Sequence, residues 1–435
     1  MTISILSHAM RLLFLVLLTA CTHAQTPLPD APSTAYVGGH WWDGQRFEPR
    51  DTTWAERGVF VERPRGRIVR TVDLRDRWVV PPFGDAHTHM LADSYSAETV
   101  GPQYLERGIF YALVLNNGSG PTGEVRGRDA LPAGLEVAYA NGGITSTGSH
   151  PAPLYEQIWG NENADRNAPR DDTTAWSGHR TVYWFFDTLA DLEAEWPAYL
   201  ATRPAAVKVY LTYNVQCDGR PSYRGCGLRP EVLGEVVRRA HAAGLPVVAH
   251  VNTSADVDRA LEAGADALAH LPIGNDGVPL DDGRYVLEDA TLEALAASGA
   301  VAVATASLLA KNLEAAPTDT LQAALARQTA ELRRLRAVGV PIALGADQWM
   351  RTSAFEADYL AATGALDPAD LLDAWARVTP QAIFPGREIG ALEVGYEASL
   401  LALECDPTRD WSCTERIANR EKQGADLEAA LAEAE

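Results

Sequence analysis

The stretch VVPPFGDAHTHML, residues 79–91, begins as an apolar, β-branched segment and ends in two histidines separated by one residue. Side chains at alternate positions of a β-strand point to the same side, so His87 and His89 would project together. Two imidazoles on one side of a strand suit a shared metal ion. Alternatively, both could be surface histidines without a function, and the remaining sequence has to distinguish these two interpretations.

Downstream of this stretch, short apolar segments alternate with helical segments rich in Ala, Leu and Arg. The helical segments end near a glycine, as is typical of helix C-caps. With residues 79–91 as the first, eight strand-like segments occur, which is the number in a (β/α)8 TIM barrel. We therefore predict an α/β fold with a barrel over residues 81–384. The other strand segments are IFYALVLNN (109–117), EVAYANGG (136–143), AAVKVYLTY (205–213), LPVVAHV (245–251), ADALAHL (265–271), AVAVATAS (300–307) and VPIALGAD (340–347).

Short β-like segments broken by Gly and Pro flank the predicted barrel on both sides. We predict that residues 34–80 and 385–416 form one small β-sandwich, followed by an acidic, Ala-rich helix over residues 417–435. Within the barrel, residues 143–187 form a long insertion that contains Trp159, Trp176 and Trp184. An insertion of this length could act as a substrate lid, or its aromatic side chains could anchor it to the rim of the barrel.

The N-terminal residues 1–21 have the features of an export signal. A basic residue precedes a short apolar run that ends in Leu18-Thr19-Ala20-Cys21. These four residues resemble the bacterial lipobox, in which the signal is cut before a cysteine that becomes lipidated. The alternative is an ordinary secretory signal cut before Gln25. We expect an exported protein of the periplasm or cell envelope, lipid-anchored at the outer membrane through Cys21.

Four further cysteines form two local pairs, Cys217 with Cys226 and Cys405 with Cys413. In an exported protein such pairs are more plausible as disulfides than as metal sites, because neither pair has the tight two-residue spacing of zinc-binding cysteines.

The net charge excludes some classes of partner. The chain carries 58 acidic against 37 basic residues, a formal charge of −21. Such a field repels nucleic acids and anionic membrane surfaces. We therefore expect a small-molecule substrate, no nucleic-acid partner, and membrane association only through the lipid anchor; the sequence indicates no oligomeric state.

Polar residues recur at the carboxyl ends of the predicted barrel strands, which is where TIM barrels place their chemistry. A single histidine at a strand end is more often a hydrogen-bonded structural residue than a ligand. Four histidines, a lysine within an apolar strand and an aspartate at the same end of one barrel favour a metal centre. These residues are His87, His89, Lys208, His250, His270 and Asp347.

At these residues the chain resembles the amidohydrolase superfamily, in particular its imidazolonepropionase-like and prolidase-like branch. The resemblance spans nearly all of the expected mature chain. It rests on DAHTHM (85–90), VKVYL (207–211), VVAHVNTSADVDRALEAGADALAHLP (247–272), IALGADQ (342–348) and TPQAIFPGREIGALEVGYEASLLAL (379–403).

The resemblance implies two divalent metal ions, with Zn as the expected metal. Residues that match His87, His89 and Asp347 would hold one ion, and residues that match His250 and His270 would hold the other. A carboxylated lysine, here Lys208, would bridge them; the alternative for Lys208 is an ordinary ion-paired lysine and a single metal. Asp347 would act as the general base and then as the general acid.

Several further residues are candidates for substrate contact. GGITSTGSHP (142–151) resembles a family segment after the third strand, which makes His150 such a candidate. Tyr210, Arg351 and Glu356 lie near the ends of the fourth and eighth strands. Arg351 would suit a substrate carboxylate, although an exposed loop arginine is the commoner situation.

Together these features predict a metal-dependent hydrolase that cleaves a carbon–nitrogen bond in a dipeptide, an N-acyl amino acid or a cyclic amide. The same metal pair could instead hydrolyse a lactone or a phosphotriester. A third alternative is a metal-binding surface lipoprotein without turnover.

Overall fold

The computed structural model describes residues 32–120, 131, 133–212, 225–272 and 283–428. Within these residues, eight parallel strand positions form a barrel, and the predicted TIM barrel is confirmed. The third position is split into two pieces. In chain order the barrel strands are Phe83–Thr88, Ile109–Val114, Glu136–Tyr139 with Gly143–Thr145, Val207–Leu211, Val247–Val251, Ala267–Leu268, Val301–Ala304 and Ile342–Leu344.

Parallel pairing runs around the barrel from strand to strand. Ile144 in the second piece of the third strand pairs with Val209 of the fourth, and pairing continues in order to the eighth strand. The eighth strand meets the first through a backbone hydrogen bond of 2.8 Å from Asp347 N to His87 O. Gly345 allows this approach, because a Cβ atom there would lie only 2.5 Å from Cβ of His87.

Amphipathic helices cover the barrel. Helix Pro230–Ala242, for example, buries an apolar stripe that includes Val232, Val236 and Ala240. Helix Ser254–Ala263 begins at a capping box of Thr253 with Asp256 and ends at Gly264, whose φ of 86° suits the left-handed C-cap. The remaining helices are Ser94–Glu106, Ala152–Ile158, Leu189–Ala201, Asp289–Ser298, Ala306–Asn312, Thr318–Ala337, Ser353–Thr363, Pro368–Asp373 and Thr379–Ile383, with a π-helical segment Ala374–Val378 and 3-10 turns Gly283–Tyr285 and Trp411–Glu415.

The terminal segments form the predicted β-sandwich from two sheets. One sheet has the strand order Val59–Val61, Thr52–Glu56, Ser33–Val37, Ile68–Asp73. The other has the order Ala425–Asp426, Ile417–Lys422, Leu400–Leu403, Trp78–Val80, His40–Trp42, Phe47–Pro49. N- and C-terminal strands therefore share a sheet.

The predicted C-terminal helix over residues 417–435 is wrong in its first part. Residues 417–422 form a strand that pairs antiparallel with Leu400–Leu403, and Glu421 is buried against Arg70. The helical propensity of this Ala- and Glu-rich segment is overridden by tertiary pairing. The sandwich therefore extends to residue 426 rather than 416, while residues 429–435 lie outside the described residues.

The insertion at residues 143–187 is largely packed onto the barrel. Strand Tyr183–Phe185 pairs with Gly143–Thr145. Trp176 and Trp184 are buried, and Trp176 packs edge-to-face on Phe185. Trp159 is the exception, because it is 48% exposed. Two of the three tryptophans thus act as anchors, as the second interpretation proposed.

Cys405 and Cys413 form a disulfide with their Cα atoms 5.4 Å apart, which confirms that predicted pair. Cys217 lies outside the described residues, so the pairing of Cys217 with Cys226 stays a prediction, as does the export signal over residues 1–21. None of the described helices has the length and apolar character needed to cross a bilayer.

An ionic network centred on Glu397 joins the sandwich to the barrel. The Glu397 carboxylate accepts hydrogen bonds from Lys422 Nζ (2.9 Å) and Arg387 (2.8 Å). It also accepts one from the hydroxyl of Tyr111, on the second barrel strand, at 2.9 Å. Burial alone raises the pKa of Glu397, but the Lys422 ammonium and the hydrogen bonds from Ser399, Lys422 and Tyr111 outweigh it and lower the pKa to about 2.

We predict that Glu397→Gln lowers the free energy of unfolding by roughly 3 kcal/mol at pH 7, the equivalent of a pKa lowered from about 4.3 to about 2. Lys422 and Arg387 lose one of two carboxylate partners and keep Glu136. A carboxylate with a depressed pKa stabilises the fold above its unfolded value of about 4.3, and this stabilisation is lost as the pH falls toward 2. Urea unfolding at pH 7 and pH 4 should therefore show a smaller difference between wild type and variant at the lower pH. Exposed Glu98 supplies the control Glu98→Gln; a difference for Glu397→Gln that does not change with pH would contradict the prediction.

Candidate metal centre

The structure brings the six predicted ligands to the carboxyl end of the barrel, on the first, fourth, fifth, sixth and eighth strands or directly after them. Lys208 and His250 lie within strands four and five, and His270 follows strand six by two residues. Asp347 follows strand eight by three residues. Every member therefore reaches the site from a rigid strand end rather than from a long loop.

His87, His89 and Asp347 form one half of the site. Asp347 Oδ1 lies 3.3 Å from His87 Nε2 and 3.0 Å from His89 Nε2. Nitrogen and oxygen ligands about 2.0–2.1 Å from a tetrahedral zinc ion are roughly 3.3 Å apart, so the spacing fits one shared cation. His87 Nδ1 lies 2.7 Å from the carbonyl oxygen of Ala269. This hydrogen bond places the proton on Nδ1 and leaves Nε2 as the ligand atom.

The charge state of this half also fits a cation. Burial by itself raises the pKa of Asp347, but His87 and His89 outweigh burial and lower it, so the carboxylate is ionised at neutral pH. Burial lowers the pKa of His87 well below its usual value, which keeps this imidazole neutral. Neutral imidazoles with a carboxylate are the donor set that zinc and related divalent metals prefer.

His250 and His270 form the other half. His250 Nδ1 lies 2.7 Å from His270 Nε2. The second nitrogen of each ring faces an oxygen: His250 Nε2 is 3.0 Å from Asn252 Oδ1, and His270 Nδ1 is 3.2 Å from the Leu271 carbonyl. If each ring donates to its oxygen, the two facing nitrogens present lone pairs to each other.

Facing lone pairs repel unless a proton or a cation lies against both. Burial lowers the pKa of His270 to about 4 and that of His250 well below its usual value, which disfavours the proton. This half of the site therefore fits a metal ion bound by both imidazoles.

Lys208 lies in the same buried region. Its side chain is 1% exposed, and its Nζ has no hydrogen-bond partner among the described residues. Burial lowers the pKa of Lys208 to about 7, although Asp347 acts in the opposite direction. A buried amine without a partner is costly as a cation. With this pKa a substantial fraction of the amine is uncharged at neutral pH, and the uncharged form is the one that can react with carbon dioxide. Lys208 therefore fits the expected carboxylated bridge.

His150 and Tyr210, two of the predicted substrate contacts, lie beside the second half. The His150 ring stacks on the His250 ring at 4.9 Å, and the Tyr210 ring is 5.0 Å from His250. The structure does not bring Arg351 into this buried group. Arg351 is exposed, and its guanidinium lies 4.5 Å above the Phe355 ring.

The prediction that Glu356 reaches substrate is wrong. Glu356 is fully buried, and its two oxygens accept hydrogen bonds from the backbone amides of Ala306 (2.6 Å) and Ser307 (2.8 Å). It therefore caps the start of helix Ala306–Asn312, where a carboxylate is favourable.

Sequence reasoning assigned no role to Asp85, although this residue organises the site. Its buried carboxylate accepts hydrogen bonds from Tyr104 (3.0 Å) and from the backbone amides of Ser353 (2.9 Å), Ala346 (3.2 Å) and His87 (3.2 Å). Asp85 thus connects the first strand to the segment that carries Asp347. The sequence did contain an indication of this role, because a single carboxylate within an apolar strand has to find hydrogen-bond partners inside the protein.

The barrel, the sandwich and this donor set are those of a metal-dependent hydrolase. A family model described as "Amidohydrolase family" matches residues 160–415, more than half of the chain. The chain belongs to the amidohydrolase family.

Individual relatives agree with this assignment. The imidazolonepropionase of Chromobacterium violaceum is 27% identical over 358 residues, which cover 76% of this chain and 77% of that protein. The ochratoxinase of Aspergillus niger is 28% identical over 202 residues, 44% of this chain and 39% of that protein.

Solved structures show the same fold. The crystal structure of A. niger ochratoxinase matches with a TM-score of 0.70 at 19% identity, over 92% of this chain and 96% of that one. A Xaa-Pro dipeptidase with bound methionine matches with a TM-score of 0.69 at 17% identity, over 90% of this chain and 98% of that one.

We predict that the purified protein contains two divalent metal ions per chain and that Lys208→Ala reduces this content to about one, because the bridging ligand is removed. Elemental analysis of wild type and variant by mass spectrometry measures this directly. Exposed Lys311 provides the control Lys311→Ala, which should keep both ions. One ion per chain in wild type and variant alike would identify a mononuclear centre and a structural Lys208.

Proposed function

We propose that this chain is an exported amidohydrolase that cleaves the amide bond of a dipeptide, an N-acyl amino acid or a cyclic amide. The observation that supports the proposal is a complete set of metal-binding side chains in the chain order that the family has. These residues are His87, His89, Lys208, His250, His270 and Asp347. A protein that had kept the barrel only for binding would have no need of all six residues.

The proposed centre holds two divalent cations, with Zn as the expected metal. His87, His89 and Asp347 would bind one ion and His250 and His270 the other, with a carboxylated Lys208 as the bridge. When bound, the cations supply a Lewis acid and lower the pKa of water, so that a nucleophile is available near neutral pH.

Asp347 performs the proton transfers in this proposal. Its lowered pKa leaves the carboxylate ionised, and therefore able to accept the proton of the attacking water. The proton then passes to the leaving nitrogen, because an amine anion is too poor a leaving group to depart unprotonated. The histidines on both sides of Oδ1 keep the carboxylate in one orientation for both steps.

The proposed substrates follow from the neighbouring side chains and from the relatives. His150 and Tyr210 line the buried side of the site, and both would contact the substrate. Arg351 is exposed and follows the eighth strand, and in this proposal it would pair with a substrate carboxylate. The relatives are named for imidazolonepropionate and for Xaa-Pro dipeptides, which are a cyclic amide and a dipeptide.

We predict that Asp347→Asn reduces kcat for amide hydrolysis by about 10²- to 10⁴-fold, since the variant cannot accept the proton of water. Turnover of a panel of dipeptides, N-acyl amino acids and cyclic amides, measured with metal content in parallel, tests this. Asp319→Asn on an exposed helix start is the matched control and should keep wild-type kcat. Turnover of lactones or phosphotriesters but of no amide by the wild type would contradict the proposed reaction.

We also propose that Cys21 carries the lipid anchor. The prediction is that the mature protein, expressed in a Gram-negative host, partitions into the detergent phase of Triton X-114 and that Cys21→Ser moves it to the aqueous phase. Mass spectrometry of the mature N-terminus, with Thr22→Ser as the control, completes the test. A mature wild-type chain that begins at Gln25 would show that the signal is an ordinary secretory one.

A further inference from the structure

Asn116 is an unusual residue at the carboxyl end of the second barrel strand. Its side chain is 2% exposed, and its backbone has a φ of 68°, in the left-handed region. Asparagine is one of the few residues other than glycine that adopts this conformation readily. The conformation turns the side chain away from the direction that regular strand geometry would give it.

Two hydrogen bonds hold Asn116 in place but do not use the N–H donors of its side chain. Oδ1 accepts from the backbone amide of Gly143 at 3.0 Å, and the backbone oxygen accepts from the hydroxyl of Tyr155 at 2.7 Å. Because Oδ1 is identified by a backbone donor, the opposite atom of the amide is Nδ2. This buried Nδ2 has no hydrogen-bond partner in the part of the chain that the structure describes.

The neighbouring asparagine shows what a purely structural residue looks like at this position. Asn117 Nδ2 donates to Asn141 Oδ1 at 3.2 Å, and Asn117 Oδ1 accepts from the backbone amide of Asn141 at 3.0 Å. That side chain is used at both ends to connect the second strand to the third. Among the described residues Asn116 keeps its Nδ2 donors without an acceptor, although unpaired buried donors are rare in proteins.

The unused amide lies next to the candidate metal centre. A Cβ atom on Gly143 would be 2.3 Å from Asn116 Oδ1 and 2.4 Å from Tyr210 Cε2, so the amide borders the Tyr210 ring. The Tyr210 ring in turn lies 5.2 Å from His150 and 5.0 Å from His250. The Asn116 side chain therefore lies in the same part of the barrel as the predicted substrate contacts.

We propose that Asn116 is a substrate-binding residue whose Nδ2 donates a hydrogen bond to a carbonyl or carboxylate oxygen of the substrate. The proposal rests on the proposed function, since it assumes an amide substrate at the metal centre. The Tyr210 ring borders both Asn116 and His250. The oxygen proposed for Asn116 is a second acceptor of the substrate, separate from the scissile carbonyl oxygen. Asn116 thus selects substrates that carry an oxygen acceptor beside the bond to be cleaved.

The test uses a ligand that cannot be hydrolysed: an N-acyl amino acid in which CH2–NH replaces the scissile amide. Its affinity for the metal-loaded protein is measured by calorimetry for wild type, Asn116→Asp, Asn116→Gly and the control Asn117→Asp. Asp and Gly both tolerate a positive φ, and Asp keeps the acceptor for Gly143. We expect about tenfold weaker binding for both Asn116 variants, the loss typical of one buried hydrogen bond to a polar or charged group.

The control separates recognition from packing. Asn117→Asp should lower the melting temperature and leave the affinity near that of wild type. Unchanged affinity in both Asn116 variants, with a lowered melting temperature, would show that Asn116 only packs and would overturn the proposal. No binding of the analogue to the wild type would overturn it as well.

A second ligand identifies the acceptor. When the carboxylate of the analogue is replaced by a methyl group, an Asn116 that binds the carboxylate loses its contribution, and wild type and variants should bind equally. Because this second ligand carries no oxygen acceptor, a tenfold difference that persists would show that Asn116 affects binding without donating to the ligand, and it would overturn the proposal. Binding is measured without turnover, so failure of the wild type to hydrolyse amides would reject the proposed reaction while the affinities still decide the role of Asn116.

Discussion

The hydrogen bond from Asp347 N to His87 O is the contact on which the site depends, because it joins the last barrel strand to the first. It closes the cylinder and, by the same contact, brings together residues 260 positions apart in the chain. Gly345 permits the approach, and the Asp85 carboxylate holds both sides of the seam through the amides of His87 and Ala346. The contact that closes the barrel therefore also aligns the ligands. The distance between the ligand atoms is determined by the rigid backbone rather than by the choice of side-chain rotamers.

The centre concentrates groups that would destabilise an ordinary core. His250 Nδ1 and His270 Nε2 face each other, and Lys208 Nζ and Asn116 Nδ2 are buried without a hydrogen-bond partner among the described residues. Such arrangements cost free energy and persist where the surrounding structure enforces them. The large apolar core of the barrel and the ionic connection of the sandwich through Glu397 provide that support. The unfavourable groups mark the site because a cation or a substrate would satisfy them.

The fold was predictable to the extent that local pattern reflects it. Strand and helix segments of the barrel have clear periodicity, and their count and order indicate the architecture. The segment from residue 417 was predicted wrongly, since its composition favours a helix while its strand is imposed by Leu400–Leu403 and by the pairing of Glu421 with Arg70. Glu356 was assigned to the site because it follows the eighth strand, yet its direction is set by the amides of the neighbouring helix. In both cases the deciding contact is with a segment far away in the sequence, which a local pattern cannot predict.

By itself the sequence determined which residues could bind metal, because ligand chemistry is a property of residue type and the strand ends are recognisable from periodicity. It likewise determined the barrel and the family. Only the tertiary structure decided which nitrogen of His87 is left free for a metal ion, and that the Asp85 carboxylate connects the first strand to the segment that carries Asp347. The physical reason is that these properties depend on contacts between strands far apart in the chain and on burial. Burial lowers the pKa of Lys208 to about 7 and that of His270 to about 4, whereas His87 and His89 lower that of Asp347, and the positions of these residues in the sequence do not specify such shifts.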